Sequence, residues 1–274
     1  MQLSMDSKIK LNNDVEIPLL GLGTWNLFGN DAYNAVLWAL DLGYRLIDTA
    51  MIYNNERDVG KALKDTQIPR DEIFVTTKVW NTDQGYKSTL KAFEKSLKRL
   101  NVEFVDLYLI HWPATHLRNE TWKALEKIYQ DGKARSIGVS NYTIRHLNEL
   151  LRITNTIPAV NQFELSPFLF QKDLIDYCNE RKIAVEAYSP LTRGRKFDNE
   201  LLQSLGKKYN KSSAQILIRW GIQQNFIEIP KSGNKEHLKE NADIFDFSLD
   251  NEDMINLNNL SNDYRIGEDP HLID

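Results

Sequence analysis

The sequence predicts an α/β fold: a closed (β/α)8 barrel of the TIM type, with an N-terminal β-hairpin and an extra C-terminal helix, forming a single domain over residues 1–274. Three observations predict it. Eight short apolar runs alternate with segments of helical period, no low-complexity linker divides them, and barrels of this kind commonly run to about 250 residues as one unit.

The hairpin comes first. "KIKLNNDVEIP" offers two short strands around Asn13-Asp14, placed to plug one end of a barrel. The apolar runs follow at residues 19–24, 44–48, 73–79, 104–110, 135–140, 158–163, 183–188 and 226–230. Most are too uniformly apolar for half-exposed antiparallel strands and fit a parallel sheet buried on both faces.

Helical segments lie between them. A charged stretch after "IDTAMIYNN" reads as one helix. In "GYKSTLKAFEKSLKRL", Leu90, Phe93, Leu97 and Leu100 recur at helical spacing and leave the lysines on the other face. "NYTIRHLNELL" repeats the pattern with Ile144, Leu147 and Leu151, and "KSSAQILIRW" begins at Ser212, an N-cap residue type. Near the end Asp250 stands in capping position, with Leu249 and Met254 spaced as a hydrophobic staple. No strand follows, so this helix is the extra one. An open doubly wound sheet is the alternative fold. Against it, "GLGTWN" has Asn26 where the dinucleotide fingerprint requires its third glycine.

Composition narrows the functional classes. A net charge of -4 with interleaved signs makes no electrostatic case for nucleic acid or an anionic membrane as partner. The opening "MQLSMDSKIK" has no apolar signal region and the longest apolar runs are too short to span a bilayer, so the cytoplasm is the default location. The single cysteine, Cys178, reads as a core thiol on a helix face.

Reacting groups in such barrels sit at the C-terminal ends of the strands. In order these ends carry Thr24-Trp25, Asp48, Lys78, His111-Trp112, Ser140-Asn141, Gln162, Tyr188-Ser189 and Lys231-Ser232. The five histidines are scattered, with no pair at metal-binding spacing, so no metal is expected. No serine sits in a hydrolase elbow. Glu164 and Glu186 both lie near strand ends and leave a two-carboxylate glycosidase as an alternative, although alternation along the strand places Glu186 in the barrel wall or interior. Asp48, Tyr53, Lys78 and His111 make coherent acid chemistry. A free phenol, with a pKa of ~10, is a weak donor at neutral pH; a nearby ammonium is expected to lower that value, and a carboxylate to hold the ammonium in place.

"DTAMIYNNERDVG", "TKVWNTDQGY", "VDLYLIHWP", "GVSNY", "NQFELSP", "YSPL" and "IPKS" together resemble the successive signature motifs of the aldo-keto reductases, closest to the bacterial aldehyde- and diketone-reducing branch. The resemblance runs from about residue 8 to 270. It implies a (β/α)8 barrel that reduces aldehydes and ketones with NADPH, accepting NADH more weakly. It implies Tyr53 as general acid, Lys78 and Asp48 tuning it, and His111 orienting the carbonyl. Ser140, Asn141 and Gln162 resemble the ligands of the nicotinamide carboxamide and Tyr188 the ring that stacks on it. Lys231 and Ser232 match the start of the 2'-phosphate segment, and the cofactor contacts extend to Thr24, Trp25, Ser189, Leu191, His237 and Asn241.

One departure stands out: where the family usually has an arginine six residues after that lysine, this chain has His237. The loop after "YSPL" and the tail "YRIGEDPHLID" are short, which predicts an open pocket with Trp25, Trp80 and Trp112 as an aromatic wall. A binding or regulatory protein on the same fold is a further alternative, distinguished by a turnover assay.

Overall fold

A computed structural model of the chain describes residues 3–113 and 116–273. It begins with an antiparallel pair, β1 (Lys8–Lys10) and β2 (Glu16–Pro18), which turns through Asp14 at φ 69°. Asn12 Nδ2 donates to the Pro158 carbonyl at 3.0 Å and Asn13 Nδ2 to the Arg135 carbonyl at 2.9 Å. Those carbonyls lie where later barrel strands begin, so the hairpin covers the N-terminal end of the barrel, as its position in the sequence predicts.

The alternation then runs β3 (Leu22–Gly23), α1 (Gly29–Asp41), β4 (Leu46–Asp48), α2 (Glu56–Asp65), β5 (Phe74–Val79), α3 (Tyr86–Leu100), β6 (Val105–Ile110) and α4 (Arg118–Gln130). It continues with β7 (Ala134–Ser140), α5 (Ile144–Leu151), β8 (Val160–Glu164), α6 (Lys172–Glu180) and β9 (Ala184–Tyr188). Two helices follow β9, α7 (Glu200–Tyr209) and α8 (Ser213–Gln223), before β10 (Ile227–Glu228), α9 (Lys235–Ala242) and α10 (Asn251–Asn258). Strands β3 to β10 pair in chain order, all parallel. Parallel bridges Leu20–Glu228 and Gly23–Lys231, with Gly21 N donating to the Glu228 carbonyl at 2.8 Å, join the last strand to the first and close the barrel.

The predicted caps form. Ser212 accepts from Gln215 N in a reciprocal capping box, and Asp250 accepts from Asp253 N. Leu249 and Met254 pack into one core cluster. That cluster lies between strands and helices, while a second, built from Leu46, Phe74, Leu107, Leu109, Val160 and Ile227 with Leu11 and Ile17 of the hairpin, fills the bore. Cys178 is buried, and burial pushes its thiol up to about 12, consistent with a core residue. No helix of the described residues is long and apolar enough to cross a membrane, and no metal-binding cluster of acids, histidines and cysteines occurs among them.

Candidate active site

Strand parity puts the polar groups in the bore. On β4, Leu46 belongs to the inner cluster and Ile47 to the outer, so Asp48, two residues on from Leu46, faces inward. The same count from Phe74 turns Lys78 inward, and from Val160 it turns Gln162 inward; Glu186 faces the bore two residues on from Ala184. Asp48 and Lys78 are buried and meet at 2.5 Å between Oδ1 and Nζ. Lys78 Nζ also donates to the Thr49 carbonyl at 3.0 Å, and Gln162 Nε2 donates to Asp48 Oδ2 at 2.9 Å.

Tyr53 ends a 3₁₀ turn, Met51–Tyr53, that follows β4. Lys78 Nζ lies 5.1 Å from the centre of its ring, and His111, just beyond β6, meets the same ring edge-on at 5.5 Å. Trp80 packs edge-on against His111 at 5.1 Å. The four predicted reacting groups, contributed by three strand ends and one turn, form one cluster.

Electrostatics corrects one expectation. Burial raises the Asp48 carboxyl and Lys78 draws it back; the short contact and the Gln162 amide favour the ionised pair. Tyr53 is not acidified by its lysine: burial first, then the charge of Asp48, hold its phenol well above 10, and Glu186 when ionised acts in the same direction. The Lys78 charge is committed to Asp48, so the resting phenol keeps its proton. Burial, reinforced by Lys78, holds His111 well below 6.5 and therefore neutral at physiological pH. Its buried Nδ1 has no hydrogen-bond partner among the described residues.

Around this cluster the strand ends are tied together. Tyr188 donates its hydroxyl to Asn141 Oδ1 at 2.8 Å, while Asn141 Nδ2 donates to the His111 carbonyl at 3.0 Å and to Ser140 Oγ at 3.1 Å. Asn141 and Ser189 sit in the left-handed region, at φ 62° and 53°. The Thr24 hydroxyl is buried and donates to the Asp48 carbonyl at 2.9 Å, so this side chain holds a strand end. Trp25 is 45% exposed, with the Arg193 guanidinium stacked 4.3 Å from its ring centre; Trp112 is half-buried beside His111.

The remaining predicted residues converge elsewhere. Leu191, Lys231, Ser232, His237 and Asn241 line a cavity of about 630 Å³ together with Phe197, Gln203 and Lys207. Leu191 follows Tyr188-Ser189 closely in the chain, and Lys231 bridges to Gly23, so the cavity adjoins the barrel mouth. Its size is that of a small-molecule site.

The model of the aldo/keto reductase family matches residues 19–262. The chain belongs to the aldo-keto reductase family. It is 50% identical over 271 residues to the glyoxal reductase of Bacillus subtilis, covering 98% of each chain. It is 48% identical over 266 residues to the 9,11-endoperoxide prostaglandin H2 reductase of Trypanosoma cruzi, covering 96% of this chain and 94% of the other. Among solved aldo-keto reductases, one from a Medee basin deep-sea metagenome library superposes with a TM-score of 0.95 at 47% identity, covering 97% of this chain and 99% of that one. A mutant of Gox0644 in complex with NADPH superposes at 0.94 and 39% identity, covering 100% and 99%.

Three features of this aldo-keto reductase escaped the sequence reading. Asn55 is fully buried, accepts from the Thr49 hydroxyl at 2.6 Å and donates to the carbonyls of Thr24 and Leu27 at 2.8 and 3.0 Å, joining two mouth loops. Arg193 lies in a short loop whose conformation no motif announces. Glu164 is occupied by the tail: its carboxylate accepts from the amides of Ile266 and Gly267 at 2.5 and 2.8 Å. With Glu164 so held and Glu186 sealed in the bore, the two-carboxylate alternative has no open pair of acids.

Proposed function

We propose that this chain is an NADPH-dependent reductase of aldehydes and ketones, with Tyr53 as general acid. The observation that carries the reading is the buried Asp48–Lys78 pair beneath Tyr53 and beside a neutral His111. A substrate carbonyl in contact with the Tyr53 hydroxyl takes the phenolic proton as its oxygen gains charge, and the Lys78 ammonium steadies the phenolate left behind. His111 orients that carbonyl. A tautomer with its proton on Nε2 leaves the buried Nδ1 as an acceptor without a partner, which costs less than burying an unpaired donor.

The residues present fit the cofactor. Ser140, Asn141 and Gln162 put amide and hydroxyl groups at the mouth, and Tyr188 offers a ring braced by Asn141. Lys231, Ser232, His237 and Asn241, with Lys207, give the adjoining cavity the cations and hydroxyl that a phosphate-bearing nucleotide requires. Leu191 and Ser189 lead from one group to the other, and Thr24 and Trp25 border the opposite side. When bound, the reduced nicotinamide supplies the hydride. Trp25, Trp80 and Trp112 form the wall against which the substrate lies.

Small reactive aldehydes, including dicarbonyls, are the proposed substrates, in keeping with the similarity to a glyoxal reductase. Oxidation of NADPH and of NADH against a carbonyl panel tests the proposal. Turnover with NADPH, weaker with NADH, supports it. Tight NADPH binding without turnover of any carbonyl supports a binding or regulatory role instead.

A further inference from the structure

The bore holds a second carboxyl that the chemistry above does not use. Glu186 is fully buried, and neither of its oxygens has a hydrogen-bond partner among the described residues. Its register partner on β8 is Gln162, whose amide donates to Asp48 at 2.9 Å. Facing Glu186 are Asp48 from β4, Tyr53 from the turn after it, Lys78 from β5 and Gln162 from β8; on β10 its register partner is the apolar Ile227.

One ammonium therefore stands among two carboxyls. Asp48 holds it at 2.5 Å and accepts from Gln162 at 2.9 Å, while Glu186 makes no contact with Lys78 that short. A carboxylate without a hydrogen bond in a dry bore is costly, and a second negative charge beside Asp48 is more so. Burial and then Asp48 push Glu186 up to about 8, against smaller opposing pulls from the neighbouring Gln162 amide and from Lys78. The cluster thus rests as carboxylate, ammonium and neutral acid.

We propose that Glu186 is a positioning residue for proton transfer at Tyr53: as a neutral acid it leaves Lys78 to Asp48 and spares the phenol a second negative charge, and on ionising it disables the centre. The inference rests on the reading of Tyr53 as general acid. Ionisation sends the Glu186 proton to solvent and leaves a carboxylate that competes for Lys78. The same carboxylate opposes formation of the phenolate, since an ionised Glu186 raises the phenol further.

The test compares kcat/KM for aldehyde reduction in the wild type, Glu186→Gln and Glu186→Met, each expressed as the ratio of its alkaline to its neutral value so that uniform losses cancel. The wild type is expected to lose about 25-fold between roughly pH 7.5 and pH 9.5, as one carboxyl titrating through about 8 requires, and both variants to lose less than about threefold. Coincident alkaline limbs overturn the proposal. Infrared difference spectra supply a readout independent of turnover: the wild type minus Glu186→Gln should show a protonated carboxylic acid at neutral pH that vanishes as the pH rises through about 8. If that band is absent, Glu186 is not a neutral acid and the proposal fails. If the band titrates and the alkaline limbs coincide, the positioning role fails and Tyr53 stands as the acid. If the band titrates and the wild type reduces no carbonyl, the general-acid reading itself fails and the positioning role falls with it.

Discussion

Lys78 is fully buried and donates to Asp48 and to the Thr49 carbonyl, with its Nζ 5.1 Å from the centre of the Tyr53 ring. At the scale of single residues this arrangement makes two predictions. Tyr53→Phe should lower kcat by about 10²- to 10⁴-fold, the usual worth of a general acid, with NADPH affinity retained in a fluorescence titration. Near-normal turnover would assign the proton to another group. The second concerns His237, which is exposed on the first turn of α9 and lines the basic cavity. A histidine lacks the permanent charge and planar fork of arginine. His237→Arg should tighten NADPH about fivefold, less than 1.4 kcal/mol would give, and leave NADH nearly unchanged. Equal changes for both cofactors would show that His237 does not meet the phosphate.

At the scale of elements, α8 carries a glycine in its last turn, Gly221, a residue less favourable in a helix than alanine by up to about 1 kcal/mol. The reason lies on β10. A Cβ built at Gly221 would stand 1.5 Å from Glu228 Oε1, so the strand's carboxyl occupies the space a side chain would need. Glu228 is fully buried, its oxygens have no partner among the described residues, and burial raises it well above 4.5. The unfolded chain ionises this group above its ordinary pKa while the folded chain keeps it neutral. Its contribution is therefore fully present below about pH 4.5 and is lost as the pH rises from there through the folded value. Glu228→Met, of similar length and without polar atoms, should raise the melting temperature, by little at about pH 4 and by more at neutral pH. Thermal melts at the two pH values check it, and a gain that shrinks with rising pH would contradict the neutral-acid account. Gly221→Ala should destabilise the wild type and be better tolerated beside a shortened residue 228.

Across the whole molecule, the proposed cofactor site draws on the ends of β3, β7, β8, β9 and β10 and on α9, with the C-terminal tail fastened nearby to Glu164 and Arg145 donating to the Ile273 carbonyl. A ligand that contacts so many elements stabilises only the folded chain. NADPH at about 100-fold over its Kd should add roughly 2.7 kcal/mol, which for a chain of this length corresponds to roughly 5–10 °C in Tm. NADH at the same concentration should add less. Calorimetric scans with each cofactor measure both shifts, and no shift with NADPH at concentrations that support turnover would contradict a site spread over these elements.

The fold was legible in the amino-acid sequence because it rests on local patterns: uniformly apolar runs for strands covered on both faces, helical spacing from Leu90 to Leu100, caps at Ser212 and Asp250. The grouping of Asp48, Lys78 and His111 was legible because strand ends in a parallel barrel share one rim, so these residues become neighbours once the strands are counted. Charge states were not. Whether Lys78 acidifies Tyr53 or serves Asp48 depends on a 2.5 Å contact between two strands, and burial reverses the expected direction of the phenol's shift. Alternation separated Glu186 from Glu164, but did not tell that Glu164 holds the tail or that Glu186 is sealed beside the ion pair. Desolvation and pairing are properties of distances between distant segments, and only the closed barrel sets those distances.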